Sequence, residues 1–331
     1  MSFLRNLLIA ALVLIAAAGG AFYFWANRPL AFANGPLDVT IRPHSSTRSV
    51  AEQLETGGMP VNRWLFEALA RALQKTTALK SGNYEFVTGL TPYEVLLKIA
   101  RGDVNQSAIT VVEGWTFAHM RAEINADPAV RHDSATMSDP ELLAALGVSE
   151  VQAEGLFFPD TYLFDKGDSD LAIYRRAYKE AKERLAQAWA ARGQGLAFQT
   201  PYQALIMASL VEKETGVQAD RALVSAVFSN RLKKGMPLQT DPSVIYGLGA
   251  AYDGRLHKHD LQSDTVYNTY LHTGLPPTPI ALPGMASLIA AVNPAPSTAL
   301  YFVSRGDGHS EFSDSLGEHN RAVDKYIRGK Q

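Results

Sequence analysis

The stretch Pro201 to Asn230, PYQALIMASLVEKETGVQADRALVSAVFSN, decides how the rest of the chain is read. Leu205, Ile206, Met207, Ala208, Leu210 and Val211 make a nearly unbroken apolar run, and charge enters only at Glu212, Lys213 and Glu214. This pattern predicts a buried helix that delivers carboxylates at its C-terminal end. Side chains on a helix turn by about 100° per residue, so Glu212 and Glu214 point roughly 160° apart and are not expected to line one cleft together. Glu214 follows Val211, Leu210 and Met207 at spacings of three, four and seven, a wholly apolar stripe, whereas Glu212 follows Ala208, Ser209 and Leu205. Glu214 is therefore the carboxylate expected to be desolvated. Desolvation disfavours the charged form and raises a carboxyl pKa, which equips a Glu to act as a general acid near neutral pH. The plainer reading of the triplet is two solvated glutamates at a fraying helix end, paired with Lys213.

The sequence beyond that triplet weakens the plainer reading. With VEKETG, the segments VFSNRLKKGMPLQTDPSVIYG (Val227 to Gly247) and YNTYLHTGLPPTPIALPG (Tyr267 to Gly284) resemble the YceG-like family of bacterial peptidoglycan lytic transglycosylases. The resemblance runs over nearly the whole chain, from the apolar N-terminus to YFVSRGDGHSEFS, Tyr301 to Ser313. Departures are small: Ser243 stands where Thr is common, Thr278 where Gly is common, and Asp264 to Val266 replaces a Ser-Pro.

Around the central helix the resemblance gives several residues a role. Asp220 to Lys233 reads as a second amphipathic helix, with Leu223, Val224, Val227, Phe228 and Leu232 on one side and Gly235 as its stop. Gln239, Thr240 and Asp241 fall where family members form the cleft wall, and they carry donors and acceptors suited to a sugar or its N-acetyl group. Asp241 also fits as the cap of a helix starting at Pro242, a role compatible with the first. Asn268 and Tyr270 fall in what resembles the family's substrate-groove loop. Earlier, Glu154 to Tyr162 (EGLFFPDTY) resembles another family segment. Phe157 and Phe158 read as core, while Asp160 and Tyr162 remain candidates to bond sugar hydroxyls.

One acid suffices for the reaction the family implies. Glu214 would protonate the glycosidic oxygen between N-acetylmuramic acid (MurNAc) and N-acetylglucosamine (GlcNAc), a β-1,4 bond. The MurNAc 6-hydroxyl would then attack its own anomeric carbon, with Glu214 as base, and leave a 1,6-anhydro end. A hydrolytic muramidase would need a second carboxylate, for which Asp241 or Asp160 stands available. A non-catalytic glycan-binding scaffold is the third reading. A protease is disfavoured, because no nucleophile elbow is present.

The N-terminus sets the compartment. Leu7 to Trp25 contains no charge and is long enough to span a bilayer core of about 30 Å, Arg5 precedes it, and Phe22 to Trp25 resembles an interfacial aromatic belt. These features predict an uncleaved single-pass anchor in the cell inner (cytoplasmic) membrane, with a cytoplasmic N-terminus and the remainder periplasmic. The triplet Ala31-Phe32-Ala33 keeps a cleaved signal peptide as the alternative. From Leu37 the chain alternates short strand and helix patterns, and by resemblance this region is a LysM-like module that either holds glycan or acts as a spacer.

The expected fold is α+β: a transmembrane segment over 1–27, a LysM-like α+β module over 37–104 and an α+β catalytic domain over 105–331. A net charge of −2 offers no global field for nucleic acid, the absence of cysteine excludes disulfides and thiolate metal sites, and the 8 scattered histidines form no HExxH motif. No metal and no cofactor are expected. Partners implied by the resemblance are peptidoglycan glycan strands and the peptidoglycan synthases of the elongation or division machinery.

Overall fold

In the structure, a computed structural model that describes residues 2–32 and 36–330, the apolar N-terminus forms one helix, α1 (Ser2–Ala26). Its Phe3–Ala26 portion has 24 residues and a mean hydropathy of 2.4. At about 1.5 Å rise per residue that length exceeds an apolar bilayer core of about 30 Å. By length and composition the helix suits a membrane anchor or a signal sequence. Ala33, the end of the small-x-small triplet, lies outside the described residues.

The chain divides into two units, the first comprising residues 1–107 and 163–168. After α1 it runs β1 (Leu37–Ile41), α2 (Thr47–Thr56), α3 (Arg63–Ala72), β2 (Gly82–Phe86) and α4 (Pro92–Arg101). Strands β1 and β2 pair antiparallel, Leu37 opposite Phe86 and Ile41 opposite Gly82. Their alternation turns Val39, Ile41, Tyr84 and Phe86 into a core shared with Val50, Leu54, Phe66 and Ile99. The helices start where their caps dictate: Ser46 Oγ accepts from Ser49 N, Asn62 Oδ1 from Leu65 N, and Thr91 with Glu94 forms a capping box ahead of Pro92. Gly102 stops α4 in the left-handed region at φ 80°.

The chain passes between units within β3 (Gln106–Thr110) and β4 (Thr161–Asp165), which pair with each other. The second unit, residues 108–162 and 169–331, is mainly helical. It holds α5 (Phe117–Ala126), α6 (Asp139–Leu146), α7 (Asp170–Ala190), α8 (Pro201–Glu214), α9 (Gln218–Lys233), α10 (Asp241–Leu248) and α11 (Met285–Val292). A hairpin of β5 (Tyr301–Ser304) and β6 (Ser310–Ser313) and a final helix α12 (Leu316–Tyr326) complete it.

Helix α8 is the axis of this unit. Thr200 and Gln203 form its capping box and Pro201 takes the first turn. Every residue from Ala204 to Val211 is buried, enclosed by α7, α9, α10 and α11. A helix apolar all round has no solvent face, which is why its register shows no strong amphipathic stripe. Ser209, the one hydroxyl in the run, donates to Ile206 O and accepts from Ile280 N at 3.0 Å. Phe157 and Phe158 are core as expected, the first stacked on Phe117 at 4.9 Å between centroids.

Candidate active site

Helix α8 ends at Glu214 because Thr215 turns extended, at φ −146° and ψ 130°. The carboxylate on this last helical residue opens into a cleft of about 340 Å³. Burial pushes its pKa up to about 7, and the charge of Asp241 pushes the same way, while the Thr240 hydroxyl, which donates to Glu214 Oε1, works against them. The side chain is thus poised to hold its proton close to neutral pH.

The expectation that only one glutamate of the triplet is desolvated needs correcting. The Glu212 side chain is just 6% exposed. It points away from Glu214, accepts from Arg221 Nη2 at 3.3 Å and from Gly284 N at 3.0 Å, and so has its charge compensated. Lys213 pairs with neither; it is exposed and donates to Gly114 O.

Of the residues predicted around the acid, Gln239, Asp241 and Tyr270 line the same cleft. Gln239 sits at φ 52°, a left-handed conformation that costs a non-glycine residue about 1 kcal/mol or more, and three hydrogen bonds hold its neighbourhood there. Gln239 N donates to Thr269 O, Thr240 N donates to Thr269 Oγ1 at 3.0 Å, and Ser243 Oγ donates to Thr240 O. Asp241 does not cap α10. It is the first residue of that helix, and Thr240 occupies the cap position without using its side chain there, since the hydroxyl serves Glu214. Asp241 instead accepts from Tyr270 Oη at 2.6 Å, and its charge suits a helix N-terminus.

The other predicted residues lie elsewhere. Thr240 is 1% exposed and touches the acid rather than open space. Asn268 is fully buried: its Nδ2 donates to Leu261 O and Ser263 O, and its Oδ1 accepts from Tyr270 N, so the amide builds the turn that presents Tyr270. Tyr162 is buried with its hydroxyl donating to Phe158 O at 2.6 Å. Asp160 is exposed and accepts from Thr161 N. Neither of these last two lines the cleft.

Sequence reasoning missed Arg231, Tyr301 and His319, which complete the cleft wall. Arg231 left a signal, a cation on the apolar stripe of α9 at spacings of three and four from Phe228 and Val227. It also missed Glu154, a buried carboxyl whose pKa burial pushes up to about 7.

Comparison with known proteins finds relatives over most of the chain. The profile of the YceG-like family matches residues 39–325. An endolytic murein transglycosylase of Bacillus subtilis is 30% identical over 318 residues, covering 89% of this chain and 86% of the relative. Another of that name, from Streptococcus pneumoniae, is 26% identical over 89% of this chain, which spans 59% of that longer relative. The solved structure of a YceG-like protein of Listeria monocytogenes is similar at a TM-score of 0.54 and 28% identity, covering 87% of this chain and 99% of that one.

Proposed function

The chain belongs to the YceG-like family, and from that premise we propose that it is an endolytic peptidoglycan lytic transglycosylase. The observation that carries the proposal is Glu214: a carboxyl at the end of a buried helix, facing a cleft, with a pKa raised to about 7. A sugar oxygen is a poor leaving group until protonated, and an acid with this pKa is ready to protonate it at neutral pH. As the MurNAc–GlcNAc bond breaks, the Glu214 proton passes to the departing oxygen. The resulting carboxylate then takes the proton of the MurNAc 6-hydroxyl as that oxygen bonds to the anomeric carbon, closing a 1,6-anhydro ring. The nucleophile is tethered to the reacting centre, so no water need be positioned and the entropy of bringing two molecules together is not lost again.

Within this reading Thr240 positions the acid, while Gln239, Asp241 and Tyr270 contact the strand. The anchor is α1, uncleaved, with its N-terminus cytoplasmic and residues 105–331 acting as a periplasmic catalytic domain. The β-α-α-β order of residues 37–104 supports a LysM-like module. The family's setting makes the synthases of wall elongation or division the expected neighbours.

The test is mass spectrometry of the chain ends released from purified peptidoglycan by the full-length protein in detergent, beside Glu214→Gln and Glu212→Gln. Anhydro ends lost with Glu214→Gln are expected. Reducing ends would assign a hydrolytic muramidase, with Asp241 as the water-activating acid, and undiminished cleavage by Glu214→Gln would remove Glu214 from the chemistry.

A further inference from the structure

The least explained group in the cleft is a cation. Arg231 is 7% exposed. Its Nε donates to Leu300 O at 2.7 Å, and its Nη1 faces three acceptors, Pro237 O, Leu238 O and Gln239 Oε1, at 3.0 to 3.1 Å. The remaining nitrogen, Nη2, makes no hydrogen bond, and among the described residues no carboxylate forms an ion pair with this guanidinium. Carbonyl contacts explain why the side chain is held rigidly. They do not explain why a charge is retained at this depth, where an uncompensated ion costs several kcal/mol.

The neighbouring wall repeats the pattern. The Arg231 guanidinium carbon lies 5.0 Å from the centre of the Tyr301 ring, on which the His319 ring stacks at 5.3 Å. His319 Nδ1 is buried without a hydrogen-bond partner. Burial and the Arg231 charge together hold its imidazole below the usual histidine range, so it adds no second cation at neutral pH. One side of the cleft that holds Glu214 therefore keeps a fixed positive charge and two nitrogens whose hydrogen bonds are unmade.

We propose that Arg231 receives a carboxylate of the substrate's stem peptide, making the enzyme selective for strands whose stems carry free carboxylates. This rests on the reading of the chain as a peptidoglycan-cleaving enzyme. The sugar backbone of such a strand is neutral, and its anionic groups are the carboxylates of its peptides. A guanidinium with one uncommitted nitrogen, Nη2, matches a carboxylate in charge and offers it a charge-assisted hydrogen bond. The four internal contacts of Arg231 pre-organise that nitrogen, so little side-chain entropy is lost on binding.

The test uses the full-length protein in detergent with three strand preparations of equal length: stems with free carboxylates, stems with those carboxylates converted to carboxamides, and strands stripped of stems by an amidase, their freed lactyl carboxylates likewise converted to carboxamides. For the wild type, kcat/KM is expected to fall about 10-fold or more from the first preparation to either of the others, as for a lost charge-assisted hydrogen bond. Arg231→Gln should cleave all three at similar rates, and Arg231→Lys should keep part of the preference. Equal cleavage of the three by the wild type overturns the proposal, and it does so whether or not Arg231→Gln folds. A preference that persists in folded Arg231→Gln overturns it too. Failure of the wild type to cleave any preparation overturns the transglycosylase reading itself, together with this inference.

Discussion

Glu214 holds its proton through neighbours that act in opposite directions, and those directions can be separated. Burial and the Asp241 charge raise its pKa, and the Thr240 hydroxyl lowers it. A general acid must be protonated to act, so kcat/KM should fall as pH rises through about 7, the value at which Glu214 ionises. Asp241→Asn removes a charge that favours the protonated form, and the alkaline limb of the profile should move to lower pH. Thr240→Val removes a donor that favours the ionised form, and the limb should move to higher pH. Shifts of about half a pH unit or more are expected. They are read from initial rates of chain-end formation between pH 5 and 9, a range chosen to bracket that value on both sides at roughly equal width. If both substitutions moved the limb the same way, another group would be setting it. Arg231 and Glu154 show why this scale is only partly legible in a sequence. Glu214 follows from its own helix, whereas the groups that define Glu154 lie 37 and 92 residues away, beyond any local periodicity. Asn268 shows the converse: its amide has the chemistry of a ligand contact, but composition alone does not say which side of a turn faces water.

Among elements, the legible ones are those whose signals agree. Helix α8 has a cap, a proline in its first turn, an unbroken apolar run and a clear end, so its position and its terminal acid were both readable. What was not readable is how α5 and α10 are tied together. Glu154 accepts from Phe117 N, at the start of α5, with both oxygens at 3.0 and 3.2 Å, and from Tyr246 Oη of α10 at 3.2 Å. Tyr246 in turn packs edge-on against Tyr267, at 4.9 Å between centroids. Through α10 this tie bears on Asp241, the first residue of that helix. Burial pushes the Glu154 pKa from 4.5 up to about 7, with the Phe117 amide and Tyr246 hydroxyl opposing. The unfolded chain releases this proton near pH 4.5 while the native chain keeps it to about 7. Native stability is therefore lost as pH rises through that window, by an amount on the order of 1 to 3 kcal/mol for this one group. Glu154→Gln cannot ionise. Its denaturation midpoint in urea should depend less on pH between 5 and 8 than that of the wild type, a range chosen to bracket the window from 4.5 to about 7. Equal pH dependence in the two proteins would show that Glu154 titrates normally in the folded state. Glu214 contributes with the same sign in both proteins, so it cancels from the comparison.

At the scale of the whole molecule, the apolar N-terminus is more than a length of helix. The last turn of α1 belongs to the core of the first unit: Ala26 is 4% exposed there, Phe22 and Trp25 pack against that core, and the two rings stack at 5.8 Å. Just beyond, Leu30 N donates to Leu90 O, and Gly89 N donates to Leu30 O, which joins the exit from α1 to the turn before α4. A hydropathy reading sees only the run of apolar residues and assigns all of it to the bilayer. The packing assigns its final turn to the protein. A fragment beginning at Arg28 would lose Phe22, Trp25 and Ala26 from the first core while leaving every residue around Glu214 in place. Removing partly buried aromatic surface of this kind, together with Ala26, costs on the order of 1 to 3 kcal/mol. Scanning calorimetry of that fragment beside one beginning at Ala21, both in the same detergent, should therefore show a transition of the first unit lowered by several degrees in the shorter fragment. The transition of the second unit and the rate of chain-end release should be the same in the two. Identical first transitions would mean that the turn at Phe22–Ala26 contributes nothing to the folded module.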